Sequence, residues 1–360
     1  MTKYFHATYF EARHAFVRAA EEAGFKQIFS EEVPFLRGPS EERLSCSVVA
    51  RRKPGNTNAL VTTSGVHGVE GYAGSALQIA WLKNSKSLPD DVDVVHIHAL
   101  NPFGMAWNQR TDEWNIDVNR NFVDEFPVRG VNPDYAKFRH LIVPKSRGPV
   151  WFAKTAAITA RYGMRALQNV LTGGQYDFSD GMFYGGDGKS WSRRTMEKII
   201  ATHLGGYARI VHLDLHTGLG NHPGANQILY AGAAEDKNYA RLRAIWPVED
   251  IAPLGDARSV SSALYGTLPN VWRQVEETRN KDVLAAIFEF ATVHRLAAFN
   301  ALQLAHMARN KIRSVDTRAQ RAAQRAMRAA FAPQDPAWEQ AVIMNGTRPY
   351  QAALRALGPR

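Results

Sequence analysis

Residues 59–71 read Ala-Leu-Val-Thr-Thr-Ser-Gly-Val-His-Gly-Val-Glu-Gly, and their order decides the fold. Ala59 to Thr63 is a short strand-like run, and Gly65, Gly68 and Gly71 follow it closely. From about Gly71 to Lys83, the spacing of Ala73, Ala76, Leu77, Ala80 and Trp81 predicts a helix. Val92 to Ala99 is apolar again and predicts a buried strand. Strand, helix and strand at this spacing predict a parallel α/β unit.

The same pattern extends to both sides. Ala7 to Ala23 reads as an amphipathic helix stopped by Gly24, and Leu44 to Val49 as a strand. The intervening Lys53-Pro54-Gly55-Asn56 is a turn by composition. Downstream, Ile210 to His216 and Leu284 to Phe290 read as strands, with a short run at Ile228–Tyr230 and a helix near Asn238–Ile245. Residues 123–207 interrupt the pattern: Lys154 to Leu171 reads as a helix between glycine-rich loops, an excursion from the sheet. The last stretch is helical and rich in Ala, Arg and Gln, broken at Pro333 and Pro336.

Composition excludes several classes. The 360 residues are 45% apolar and 22% charged, ordinary for a globular chain and incompatible with disorder throughout. Cys46 stands alone, which excludes an internal disulfide and a cysteine metal cage. No run of about 18 apolar residues is present, so no transmembrane helix is expected. Met1 to His6 leads into charged residues rather than a signal-peptide core, and the expected compartment is the cytoplasm. The net charge of +10 is concentrated: residues 291–360 carry eleven basic side chains against three acidic ones. Arg318, Arg321, Arg325 and Arg328 fall on one helical stripe, which reads first as a solvated face and second as a surface for an acidic partner.

His67 and Glu70 lie three residues apart, so one turn can aim both at a point. A third ligand must come from elsewhere. Along a strand, His212, Asp214 and His216 share a face, and His216 sits at the carboxyl end, where open α/β sheets place ligands. Two His and one Glu form a catalytic zinc set with an open position. His212, His96 and His98 read as hydrogen-bonded strand histidines. The segment containing Arg110, Asp117, Asn119 and Arg120 is densely polar; arginine offers a planar fork for a carboxylate, and Asp117 suits the second ring N–H of a metal-bound His. Glu289, inside the apolar run Ile287–Phe290, is either a desolvated general base or an edge residue facing solvent.

In order, His67-Gly-Val-Glu70, Arg110, Asp117-Val-Asn119-Arg120, Asp214-Leu-His216-Thr217 and Glu289 resemble the zinc carboxypeptidase superfamily over residues 60–290. The Asp-Leu-His-Thr setting and Asn101-Pro102 resemble its aspartoacylase and succinylglutamate desuccinylase branch, and bacterial carboxypeptidase-like hydrolases above all. The resemblance implies an α/β fold with a mixed, mostly parallel twisted sheet and helices on both faces. It implies one Zn²⁺ per chain held by His67, Glu70 and His216, with Asp117 orienting His67. Arg110 would stabilise the oxyanion, Asn119 and Arg120 would clamp a substrate carboxylate, and Glu289 would move protons between water and the leaving amine. A mobile tyrosine is also implied; Tyr265 stands in the matching stretch, with Tyr230 and Tyr184 as competitors. The implied reaction is hydrolysis of an amide next to a free carboxylate, by a metallocarboxypeptidase or, alternatively, an N-acyl amino acid deacylase. Expected partners are a small peptide or N-acyl amino acid, without membrane or nucleic acid, and homo-oligomerisation is left open. A third reading, polyanion binding, rests on the basic C-terminus. The expected domains are a zinc hydrolase over 1–310, with a pocket-shaping insertion at about 123–207, and a basic helical extension over 311–360.

Overall fold

The computed structural model describes residues 2–84, 88–218, 220, 222–247, 249–261, 264–311 and 318–358. Its strands are β1 (Lys26–Arg37), β2 (Arg43–Arg51), β3 (Asn58–Ser64), β4 (Val92–His98), β5 (Arg209–Gly218), β6 (Asn226–Tyr230), β7 (Ile251–Pro253) and β8 (Asp282–Ala291). They form one sheet in the order β1-β2-β4-β3-β5-β8-β6-β7. The four central strands β4, β3, β5 and β8 run parallel, while β2 and β6 flank them antiparallel. The mixed, mostly parallel α/β sheet expected from the sequence is the one observed.

The helices are α1 (Tyr9–Glu22), α2 (Gly71–Lys83), α3 (Pro102–Ala106), α4 (Asp134–Ile142), α5 (Pro149–Tyr162), α6 (Met164–Thr172), α7 (Trp191–Ile199), α8 (Lys237–Ile245), α9 (Val271–Gln274), α10 (Arg295–Lys311), α11 (Arg318–Phe331) and α12 (Pro336–Leu357). Strand alternation sorts them onto both faces of the sheet. Leu60, Val94, Leu213 and Phe288 pack with Phe16 of α1, Leu77 of α2, Leu242 of α8 and Val342 of α12. Val61, Val95 and Ile210 point the other way, onto Ile199 of α7 and Trp272 of α9.

Three expectations need correction. Residues 154–171 are not one helix: Gly163, at φ 80°, ends α5 and opens α6, a backbone that glycine adopts without strain. The basic C-terminal region does not hang off the body. Trp338, Val342, Leu354 and Leu357 of α12 belong to the main core, and a Cβ at Gly346 would lie 2.3 Å from Leu77 of α2. Arg318, Arg321 and Arg325 are exposed, but Arg328 turns inward, its guanidinium 3.2 Å from the centre of the Tyr72 ring and donating to the His6 carbonyl at 2.9 Å. The first strand was not legible at all. β1 is a half-exposed edge carrying Lys26, Glu31, Glu32 and Pro34, residues that guard an edge and dilute the strand signal. Among the described residues, no helix is long and apolar enough to cross a membrane.

Buried histidines give the fold a pH signature. His96 bonds Thr62 at 2.8 Å, while His98 bonds Ser75 at 2.9 Å and stacks on Phe16. Burial pushes both imidazoles down, to about 3. Unfolding lets each take up a proton near 6.5, so the stability from keeping them neutral is complete above that pH and lost progressively toward 3. The stability difference between the wild type and His98→Gln should therefore shrink by about 1.4 kcal/mol per pH unit below 6.5. Urea melts from pH 7 to 4.5 measure it, and a pH-independent difference would refute it.

Candidate active site

The sheet's parallel centre brings the chemistry together at the carboxyl ends of β3 and β5. After β3 the chain turns through Gly65, at φ 71°, and enters the short 3-10 turn Gly68–Glu70 ahead of α2. A Cβ at Gly68 would meet the Gly104 backbone at 2.0 Å, so this turn is pressed onto α3 with no room for a side chain. His67 and Glu70 thereby face β5. One side-chain nitrogen or oxygen from each of His67, Glu70 and His216 lies within 4.8 Å of the others, and all three residues are buried.

Each ligand candidate is held from behind. His216 Nε2 donates to Asp214 Oδ2 at 2.6 Å, which leaves Nδ1 facing Glu70 Oε2 at 3.3 Å. The Thr217 amide donates to the same Glu70 oxygen at 2.9 Å. His67 Nδ1 stands 3.4 Å from Asp117 Oδ1, and Asp117 also accepts from Arg110 Nε at 2.9 Å. Arg110 spans the cluster, reaching Glu70 Oε1 at 3.2 Å and His67 Nε2 at 2.6 Å. Burial, with Arg110 next, drives the His67 imidazole well below its usual range. Burial also opposes charge on His216, but Asp214 and Glu70 outweigh it and hold that imidazole well above. Two imidazoles and a carboxylate, converging and backed by second carboxylates, fit a divalent cation of the zinc kind.

Glu289 is brought in by strand register: in the β5–β8 pairing it sits directly opposite His216. It is half-buried and lines the same cavity as His67, Glu70 and His216. Gly218 makes room for it, since a Cβ there would lie 2.3 Å from Glu289 Oε1. Burial first, then the Glu70 charge, raise this carboxyl well above the ordinary range, against the pull of His216 and Arg110. The solvent-facing alternative left open by the sequence does not hold.

Asn119 and Arg120 lie on the 3-10 turn Val118–Arg120 and line the same cavity. Arg120 donates Nε and one Nη2 proton to the Thr172 carbonyl, at 3.2 and 2.7 Å, and one Nη1 proton to the Asn119 carbonyl at 2.8 Å. Two of its five N–H groups are left for a ligand. Gly174 packs on its stem, where a Cβ would come within 2.7 Å of Cδ. The 123–207 excursion thus anchors this arginine. Asn119 spends its side-chain oxygen on the Leu268 amide at 2.7 Å, which leaves its NH₂ group to face the cavity.

Tyr265 is not brought to the site. It is 43% exposed, edge-on to Tyr176, and outside the cavity lining. Tyr184 and Tyr230 are buried elsewhere, and among the described residues no tyrosine lines the cavity. His212, by contrast, is satisfied as expected, by Thr63 at 2.9 Å and Trp272 at 3.0 Å. Asp214 is the site residue the sequence reading left without a role. Strand period put it on the face of His216, but only the fold shows its carboxylate on that ring. Phe183 was missed too: its ring lies 5.0 Å from the Arg110 guanidinium and 5.9 Å from that of Arg120.

The family model described as Protein of unknown function (DUF2817) matches residues 5–345. The chain belongs to the DUF2817 family. No curated protein matches this DUF2817 chain in sequence. Among solved structures it is similar to bovine thrombin-activatable fibrinolysis inhibitor in complex with tick carboxypeptidase inhibitor, at 13% identity and TM-score 0.47, over 90% of this chain and 96% of that one. Carboxypeptidase A from Helicoverpa armigera matches at 13% and 0.48, over 91% and 74%. The succinylglutamate desuccinylase of Chromobacterium violaceum matches at 12% and 0.38, over 90% and 74%. What the DUF2817 chain does is decided by its own side chains.

Proposed function

We propose that the chain is a zinc-dependent hydrolase that cleaves an amide bond next to a free carboxylate. The observation that carries the reading is the convergence of His67, Glu70 and His216 with Glu289 opposite His216 on the neighbouring strand. His67, Glu70 and His216 would hold the cation, with Asp117 and Asp214 setting the two rings. A bound divalent cation supplies Lewis acidity there, polarising the scissile carbonyl and acidifying water. Glu289 takes the proton of the attacking water and delivers it to the leaving amine nitrogen. Arg110 uses its remaining N–H groups on the oxygen where negative charge develops. Arg120 and the Asn119 amide take the substrate's carboxylate, which fixes the scissile bond relative to Glu289.

Two measurements test the reading. Elemental analysis of chain purified without metal-affinity resin should find one zinc per chain, lost in His216→Ala. A panel of short peptides and N-acyl amino acids should show turnover that depends on that metal. A folded, active, metal-free protein would refute the proposal.

A further inference from the structure

The cavity that holds the catalytic residues has two unlike parts. Its charged side chains are His67, Glu70, Arg110, Arg120, His216 and Glu289; among its described lining residues no other side chain is ionisable. The remaining wall is uncharged and mostly apolar, with Thr155, Thr159, Gln168 and Ser261 among its polar members, and comes largely from the excursion and the C-terminal helices: Leu141 of α4, Leu167 and Leu171 of α6, Phe299 and Leu302 of α10. Met164 and Leu296 line it while 42% and 55% exposed, which marks its mouth. The volume is about 250 Å³, roughly twenty times the space that one water needs. A benzene-sized group needs a cavity of about 150 Å³, so a leucine or phenylalanine side chain would leave roughly 100 Å³ of it unfilled, and a charged peptide tail would find no counter-charge in the wall.

We infer that the substrate is an N-acyl amino acid whose acyl group is a long aliphatic chain lying in this chamber, its carboxylate at Arg120 and Asn119. The inference rests on the hydrolase reading above and narrows it to the deacylase branch. The water oxygen bonds to the acyl carbon, the carbon–nitrogen bond breaks, and Glu289 carries the proton to the amine. A fatty carboxylate and a free amino acid leave. The uncharged wall recognises the chain by its methylenes alone, each expected to raise kcat/KM by about fourfold until the chamber is full.

The test uses the zinc-loaded chain with N-acetyl-, N-hexanoyl- and N-dodecanoyl-leucine and the peptide acetyl-Ala-Leu, together with calorimetry of dodecanoate and butyrate. Turnover should climb from acetyl to hexanoyl by about a hundredfold or more, and dodecanoate should bind one-to-one where butyrate does not. Leu167→Trp on α6 and Phe299→Trp on α10 should each shift the preferred chain to a shorter one. Turnover of the acetyl compound or the peptide equal to that of the longer acyl substrates, with no dodecanoate binding, overturns the chamber assignment alone. No turnover of any substrate by chain with one zinc bound overturns the hydrolase reading itself.

Discussion

Glu289→Gln is expected to lower kcat/KM by roughly 10²–10⁴-fold, the span of a positioned general acid–base, while leaving the metal content and the melting temperature close to wild type. The expectation follows from placement. Glu289 sits across from His216 in a parallel strand pair, so its distance from the ligand cluster is fixed by backbone register rather than by a mobile loop. Gly218 leaves the space its carboxylate occupies. Burial and the neighbouring Glu70 make its proton unusually easy to keep, which suits a group that must pass one on. Glutamine fills the same volume and keeps an oxygen, but it cannot accept and return a proton. The metal ligands are untouched, so zinc analysis of the variant separates lost proton transfer from lost metal. Activity within a few-fold of wild type would remove Glu289 from the mechanism.

The sequence disclosed what periodicity carries. β3, α2, β4, β5 and β8 are central and buried on both faces, so they read as nearly continuous apolar runs that stand out from the polar loops between them. The convergence of His67, Glu70 and His216 was legible for a related reason. A strand end and a turn of three residues leave little freedom in where a side chain points. What stayed hidden depends on contacts between distant segments. Asp214 acts through a bend of its carboxylate onto a ring two residues on, Thr217 through its backbone amide, and Arg120 through the carbonyl of Thr172, 52 residues away. The C-terminal helices look like a charged appendage because their exposed arginines dominate the composition. Their apolar stripe, with Trp338, Val342 and Leu354, shows its purpose only once α2 offers a surface. Tyr265 stands outside the cavity lining for the opposite reason: an order of motifs along the chain says nothing about where a loop sits.

Arg110→Met tests the other half of the chemistry and should act on both rate and stability. Arg110 is the hub of a buried charge cluster, with three contacts to His67, Glu70 and Asp117. Its removal leaves two buried carboxylates short of a cation, a change that costs about 3–5 kcal/mol in comparable buried pairs. Bound zinc offsets part of this at Glu70 but not at Asp117, so the variant should melt lower with metal and lower still without it. On the rate side, the loss of a donor to the developing oxyanion is worth roughly 10²–10³ in kcat. Arg110→Lys separates the two effects. It restores a positive charge and much of the stability, but a single ammonium cannot serve Asp117, Glu70 and a reacting oxygen from fixed directions, so turnover should stay low. The readouts are thermal melts with and without a chelator, and kcat on the best substrate of the panel. If Arg110→Lys recovers both, Arg110 matters here as charge alone and the oxyanion role fails. If Arg110→Met keeps wild-type kcat while losing stability, the arginine is a structural counter-ion to Asp117 and Glu70, and the developing charge must be met by another group.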